Sequence, residues 1–354
     1  MLKASSEALV RFCQLKSAGM PGRDQLLDLH AETKELMAQY LGAPGGANDV
    51  AFTASASDGL NILARGIDWR SGDQVVSLQG EFPSLLLPWL ALRPHGVTLT
   101  TVPPGDDPEA AIEAAMTDHT RVICVSYVSY LNGLRLDLRR LAAIAISRGA
   151  ILAVDGSHAM GVMPIPIEYC DVLVSCCYKF MLAAHGVGVL YWNRRRVAEL
   201  GQPSVGWHSV EWPSLSERSQ SYRLKEGAHR FELGNPSFIS LFVLSEALKL
   251  LTTVDVGRTR EHVLRLGGEL RDGLRSRGLS LLTPAPAERR GPNIVFAAPD
   301  NETIVSGLRQ SDVLVWGGED RVRFSLHGYN DKSDIEVALD ALDRVLHETG
   351  SDKK

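Results

Sequence analysis

Three stretches put residues of reactive type where a folded chain would present them. In DVLVSCCYKF (171–180), Lys179 follows an apolar run that reads as a buried strand. Lysines are seldom buried without a partner, so this placement asks for a chemical reason. In AILAVDGSHAMG (150–161), Asp155 closes the preceding apolar run, with small residues and His158 just beyond it. In FTASASDGLNIL (52–63), a short strand runs into a turn of small hydroxyl residues and then a helical pattern. A helix start offers free N–H groups to an anion. A phosphate cradle, a carboxylate and a buried lysine at one sheet edge suit pyridoxal phosphate. That cofactor needs a lysine for its Schiff base and an acid facing its pyridinium nitrogen.

Such residues need a scaffold. Between about residues 50 and 193, apolar runs alternate with amphipathic stretches. QVVSL (74–78), VTLTTV (97–102), RVICVSYV (121–128), AILAVD (150–155), DVLVSC (171–176) and GVLYW (188–192) read as strands. Helical patterns cover 56–67, 84–93, 108–117 and 136–148. This alternation predicts an α/β fold with a mostly parallel mixed sheet covered by helices on both faces. Ligands on such sheets collect at the carboxyl ends of the strands. After about residue 235 come helices over 237–252 and 256–277, strands in LSLLT, PNIVFAA, VLVWGG and RVRFSLH, and a last helix over 332–347. The expected domains are a large one over 15–240 and a small α+β one over 241–354, with residues 1–14 packing near the small one. The tail GSDKK is expected to fray.

Composition narrows the function classes. The 354 residues are 45% hydrophobic and 22% charged with a net charge of −5, so there is no basic field for nucleic acid or an anionic membrane. No apolar run is long enough to span a bilayer, and MLKASSEALVRF lacks the apolar core of a secretory signal. The five cysteines, Cys13, Cys124, Cys170, Cys176 and Cys177, form no regular framework. They predict reduced thiols and a cytoplasmic location. No cluster has metal-ligand spacing. The turn after 50–53 reads ASASDG, not GxGxxG, which argues against a nicotinamide-dependent oxidoreductase.

From about residue 25 to 347 the chain resembles the class V branch of the fold-type I pyridoxal phosphate enzymes. That branch holds cysteine desulfurases, selenocysteine lyases, kynureninases, isopenicillin N epimerase-like proteins and several aminotransferases. Ser55-Ala56-Ser57-Asp58 resembles the family's phosphate turn, with Ser57 in the place of its threonine. GEFPSLLLPW (80–89) resembles the segment that stacks on the pyridine ring, which implies Phe82 for that role. VSYVSYLNG (125–133) resembles the loop on the ring's oxygen side and implies Ser129 and Tyr130, the latter also toward substrate. VDGSHAMG carries the family aspartate as Asp155, and His158 stands where a residue contacts the ring hydroxyl. In CCYK, Cys176 and Tyr178 replace the serine and histidine of Ser-x-His-Lys; the Tyr178 hydroxyl can still serve the phosphate. RFELGNPSF (230–238) resembles a segment that reaches the phosphate of the neighbouring subunit, with Asn235 for threonine. This implies a homodimer with shared active sites. RVRFSLHGYN (321–330) resembles the segment whose arginine, here Arg323, grips the substrate carboxylate.

The resemblance also has gaps. Desulfurases of this branch use a cysteine in their C-terminal third, and no cysteine follows Cys177 here. Cys176 and Cys177 are expected to be packing residues. The family's extended N-terminal segment gives way to a helix-like ALVRFCQLKSAG (8–19). The resemblance implies an enzyme that acts on an amino acid through an external aldimine and a quinonoid, as a β-eliminating C–S lyase or an aminotransferase. Lys179 serves as base, with Asp155 and His158. The SHAMG and GWHS (206–209) segments also leave an isopenicillin N epimerase-like racemase or epimerase open. From another class, a non-catalytic dimeric scaffold would keep the fold, but Asp155, Lys179 and Arg323 are all retained.

Overall fold

The computed structural model describes residues 2–351 except 213, 215 and 218. Of the tail expected to fray, residues 352–354 lie outside the described residues. The chain forms two compact units. The first holds Met1–Tyr127, Asp137–Gly161 and Ile165–Val254; the second holds Val128–Leu136, Val162–Pro164 and Asp255–Lys354.

In the first unit, helices α1 (Lys3–Ser17) and α2 (Met20–Leu41) precede β1 (Val50–Thr53), α3 (Ala56–Gly66), β2 (Gln74–Leu78), α4 (Pro83–Leu90), β3 (Thr98–Val102) and α5 (Pro108–Ala115). Then follow β4 (Thr120–Ser126), α6 (Leu138–Ser147), β5 (Ile151–Asp155), β6 (Val172–Cys176), β7 (Gly188–Trp192) and α7 (Phe238–Thr253). The seven strands lie in the order β1-β7-β6-β5-β4-β2-β3. Strands β2 to β6 pair in parallel, while β7 runs antiparallel to both β6 and β1. A parallel strand is covered on both faces, so its sequence is a continuous apolar run rather than an alternation. β2, β6 and β7 are buried at every position. Leu60 and Leu63 of α3 and Trp89 of α4 are fully buried in the same core as Val75, Val122 and Val174. Gly59 lets α3 sit tight on the sheet, since a Cβ there would lie 2.8 Å from Val174 Cγ1.

Two expected boundaries change. The division at 240/241 would cut through α7, whose Leu241, Val243, Leu244 and Leu248 are buried, and the units part after Val254. Residues 1–14 belong to the first unit and not to the small one. Phe12 of α1 meets Phe242 of α7 edge to face at 5.8 Å, because an apolar stripe on a terminal helix packs on the nearest apolar helix face.

The second unit has α8 (Val256–Ser276), β8 (Asn293–Ala297), α9 (Asn301–Gln310), β9 (Trp316–Gly318), β10 (Arg321–Ser325) and α10 (Lys332–Ser351). Its antiparallel sheet has the order β8-β10-β9. Leu266, Leu270, Phe296, Val322 and Leu342 anchor its core. LSLLT forms only an isolated bridge, Leu281 to Phe296, and of VLVWGG only Trp316–Gly318 pairs. The short helix α9 is not foreseen by periodicity. Its Gly307 allows close packing on α10, as a Cβ would lie 2.5 Å from Val345 Cγ2.

Candidate active site

The carboxyl ends of β4, β5 and β6 bring the reactive residues of the first unit together. Asp155 is the last residue of β5, in register with Ser126 of β4 and Val174 of β6. It is 7% exposed, and its Oδ1 accepts from Ser157 N at 2.7 Å. Burial pushes its pKa up, against hydrogen bonds from Ser157 and the positive charge of Lys179. Among the described residues no cation lies within ion-pair distance of this carboxylate. Ser157 also fixes the next strand end, its Oγ accepting from Cys176 N at 3.0 Å.

Lys179 lies in the loop after β6 and is half-buried, not buried as the strand pattern suggested. β6 ends at Cys176, so the loop has already turned toward the surface when it reaches the lysine. Its Nζ is 3.1 Å from His158 Nε2 and 5.6 Å from the centroid of the Phe82 ring. His158 is buried and packs edge to face on Phe180 at 5.9 Å. Phe82 is 44% exposed at the start of α4, so it is not a core aromatic. Tyr178 stacks on His185 at 4.1 Å, with Lys179 Nζ 5.9 Å from its ring centroid. The loop closes through Leu182 N to Lys179 O and Ala183 N to Cys177 O, each 3.0 Å. It lies hard against Gly161, where a Cβ would be 2.0 Å from Phe180 O.

The phosphate turn is a capped helix start. Ser55 Oγ accepts from Asp58 N at 3.1 Å, and Asp58 Oδ2 accepts from Ala54 N at 3.1 Å, a reciprocal cap. Ala56 and Ser57 open the helix, where amides precede any intrahelical acceptor. Ser57 Oγ donates to Ser84 Oγ at 2.7 Å. Asn235 lines a cavity of about 320 Å³ with Thr53, Ala54, Asp58 and Gly186. Cys176 is buried at the end of β6, where burial pushes its thiol pKa up, and all five cysteines are free.

Ser129, Tyr130 and Arg323 belong to the second unit. Ser129 Oγ accepts from Leu131 N at 3.1 Å within its turn. Arg323 donates from Nη1 to Tyr130 O at 3.0 Å, and its guanidinium carbon lies 4.9 Å from the Trp316 ring centroid. Its Nε is buried without an acceptor, and among the described residues it has no carboxylate partner. Burial, then the charge of Arg321, bring its pKa down to about 10. A desolvated guanidinium with an unused edge is a receptor for a carboxylate.

Not foreseen from the sequence are Ser157, which ties Asp155 to Cys176, and Glu81, which is buried beside Phe82. Glu81 Oε1 accepts from Ser126 N at 2.7 Å and Oε2 from Ser126 Oγ at 2.6 Å. A charged residue between Gly80 and Phe82 reads as a surface turn, so the only available signal was its place at a strand end.

The family model for class V aminotransferases matches residues 16–337. This chain belongs to the class V aminotransferase family. It is 27% identical over 308 residues to an uncharacterized aminotransferase of Bacillus subtilis (strain 168), covering 86% of this chain and 80% of that protein. It is 27% identical over 342 residues to the isopenicillin N epimerase of Amycolatopsis lactamdurans, covering 90% and 85%. Among solved structures it is similar to the cystine C–S lyase C-DES in complex with its product cysteine persulfide. The TM-score is 0.89 at 20% identity, with 97% of this chain and 94% of that chain covered. Family enzymes use pyridoxal phosphate, and so does this one. The residues present fit the cofactor. Asp155 is a buried carboxylate lacking the cation that a pyridinium nitrogen supplies, and Lys179 presents a half-buried amine beside an exposed aromatic face. Among the described residues no helix is long and apolar enough to cross a membrane, and no cluster could hold a metal ion.

Proposed function

We propose that this enzyme works at the α-carbon of an amino acid as a lyase, of the β-eliminating C–S type, or as an aminotransferase. The observation that carries the reading is the convergence of Lys179, His158, Asp155 and Phe82, with a 3.1 Å contact between the lysine amine and the imidazole. The cofactor, when bound, supplies an electron sink for the pair left when a bond at the α-carbon breaks. Lys179 would hold the cofactor through its aldehyde, and its amine would take the α-proton of a bound substrate as general base. His158 keeps that amine in place and accepts its proton. With the cofactor bound, Asp155 would keep its ring nitrogen protonated, Phe82 would cover the ring, and Ser55, Ala56, Ser57 and Tyr178 would hold the phosphate. Arg323 receives the substrate carboxylate, with Tyr130, whose main-chain oxygen it bonds, and Ser129 next to that tyrosine in the chain. Asn235 serves the phosphate of a partner subunit, which makes the enzyme a homodimer.

The names of the relatives span the exits open to such a site. A lyase or aminotransferase is favoured over persulfide transfer because this sequence has no cysteine after Cys177. Epimerisation is the second reading, supported by the second proton acceptor, His158, beside Lys179 and by the match to the epimerase.

The first experiment is a visible spectrum of the purified protein, then borohydride reduction and peptide mapping. A yellow protein with its adduct on Lys179 supports the reading, and amino acids are then screened for spectral change. Keto acid with loss of the amino group from substrate marks transamination, and loss of a β-substituent marks elimination. Solvent deuterium entering the α-position of an otherwise intact amino acid marks epimerisation. A protein that stays colourless with added cofactor returns the scaffold reading.

A further inference from the structure

One buried ionisable group beside the candidate site has no part in the chemistry above. Glu81 follows the turn after β2, and its side chain runs inward to the end of β4. Its carboxyl oxygens accept from the Ser126 amide at 2.7 Å and from the Ser126 hydroxyl at 2.6 Å, and the Phe82 amide also bonds to the group. Ser126 is the residue of β4 in register with Asp155, and the next amide, Tyr127 N, donates to Asp155 O at 2.9 Å. The residue after Glu81 is Phe82. A single carboxyl therefore ties the strand end beside the cofactor acid to the aromatic that faces the lysine.

The charges around this carboxyl are one-sided. Asp155 of β5 acts on it with a like charge, and the fully buried Cys124 thiol of β4 also lies in its field. Among the described residues no lysine, arginine or histidine pairs with it. Asp155, by contrast, feels the positive charge of Lys179. Two desolvated carboxyls at one strand edge resist sharing two negative charges, and the one nearer a cation keeps its charge.

We propose that Glu81 is a positioning residue that stays a neutral carboxylic acid. In the neutral acid the 2.6 Å bond to the Ser126 hydroxyl turns round, Glu81 donating its proton to Ser126 Oγ while still accepting from Ser126 N, so Asp155 remains the one negative charge facing the cofactor ring. Burial, opposed by the Ser126 and Phe82 bonds and reinforced by Asp155, brings the Glu81 pKa up to about 7, in keeping with this arrangement. No bond forms or breaks; one proton is parked. The inference rests on Asp155 being the cofactor acid, and the visible band of the holoenzyme tests that separately.

The test compares the holoenzyme with Glu81→Gln and Asp155→Asn by difference infrared spectroscopy just below neutral pH, and follows the visible band of the bound cofactor across pH. A protonated-carboxyl C=O stretch in the wild type, lost in E81Q and kept in D155N, is the expected result. E81Q, a neutral isostere, leaves the midpoint of the visible titration and the cofactor affinity within about threefold of wild type, under 1 kcal/mol. Glu81→Ala keeps the charge state but loses the clamp and weakens cofactor binding about tenfold. A wild-type spectrum without that stretch, a stretch that vanishes in D155N, or a midpoint moved by about a full pH unit in E81Q would overturn the proposal. A yellow E81Q protein that moves the midpoint refutes Glu81 as the proton carrier and leaves the cofactor reading standing. A wild type without a visible band refutes the reading beneath it.

Discussion

An amine 3.1 Å from an imidazole lies within hydrogen-bond distance of it, and that pair is where the proposed chemistry sends the α-proton. Lys179→Ala should lower kcat by about 10²- to 10⁴-fold, the usual loss with a general base. Steady-state rates on whichever amino acid gives a spectral response, with cofactor occupancy measured in parallel, check this. Arg323→Ala should raise KM for a carboxylate substrate by roughly 10- to 100-fold with a smaller change in kcat, since charged hydrogen bonds contribute about 1.5–3 kcal/mol. An unchanged KM would place the carboxylate elsewhere. At this scale the places of Asp155 and Lys179, one at a strand end and one in the loop just past the next strand, were legible because continuous apolar runs precede both. Glu81 was not, because its burial depends on Ser126, forty-five positions away in the chain.

Among elements, the loop after β6 depends on Gly161, whose φ of +103° favours glycine and whose missing Cβ makes room for Phe180 O. The main-chain atoms of Phe180 have no flexible side chain to swing aside. Gly161→Ala should cost about 1–3 kcal/mol from overcrowding, with added strain at positive φ. It should also misplace Lys179 next door. The check is a lowered Tm together with a reduced yield of borohydride-trapped lysine; a normal yield would mean that the loop adapts. Ser55→Ala removes a cap contributing about 1 kcal/mol and should loosen the start of α3, read as weaker cofactor binding at equal occupancy of folded protein.

For the whole molecule, acid stability turns on a buried charge cluster that the proposed chemistry does not use. Lys34 on α2 is 2% exposed, pairs with Glu232 at 2.7 Å and touches His229 Nδ1 at 2.9 Å. Burial alone would raise Glu232, but His30 and Lys34 outweigh it and hold its pKa at about 2. Burial, then Lys34, bring His229 down to about 4. Both folded values lie below the ordinary ones. Their contribution is therefore complete above those ordinary values and is lost as pH falls, first through His229 and then through Glu232. Tm should fall from about pH 6.5 downward. Glu232→Gln strands a buried lysine and should cost about 3–5 kcal/mol at pH 7, with a flatter acid limb in a Tm-against-pH series. Sedimentation of the holoenzyme checks the proposed homodimer.

The legible part of this chain was local. Apolar runs made β2 to β7 readable nearly to the residue, although β3, at the sheet edge, is only partly covered. Small hydroxyl residues before an amphipathic stretch specify the capped start of α3. Contacts between distant segments were decided only in three dimensions. α7 joins the first unit because its buried residues pack with α1 and α2, and no pattern within the helix says which partner it takes. LSLLT has strand composition but makes a single bridge, because pairing needs a neighbour in register and not propensity alone. Lys34 and Glu232 read as ordinary surface charges until the fold desolvates both, and Glu81 reads as a turn residue until Ser126 closes over it. Burial is a property of the assembled chain, and with it come the charge states that set the chemistry.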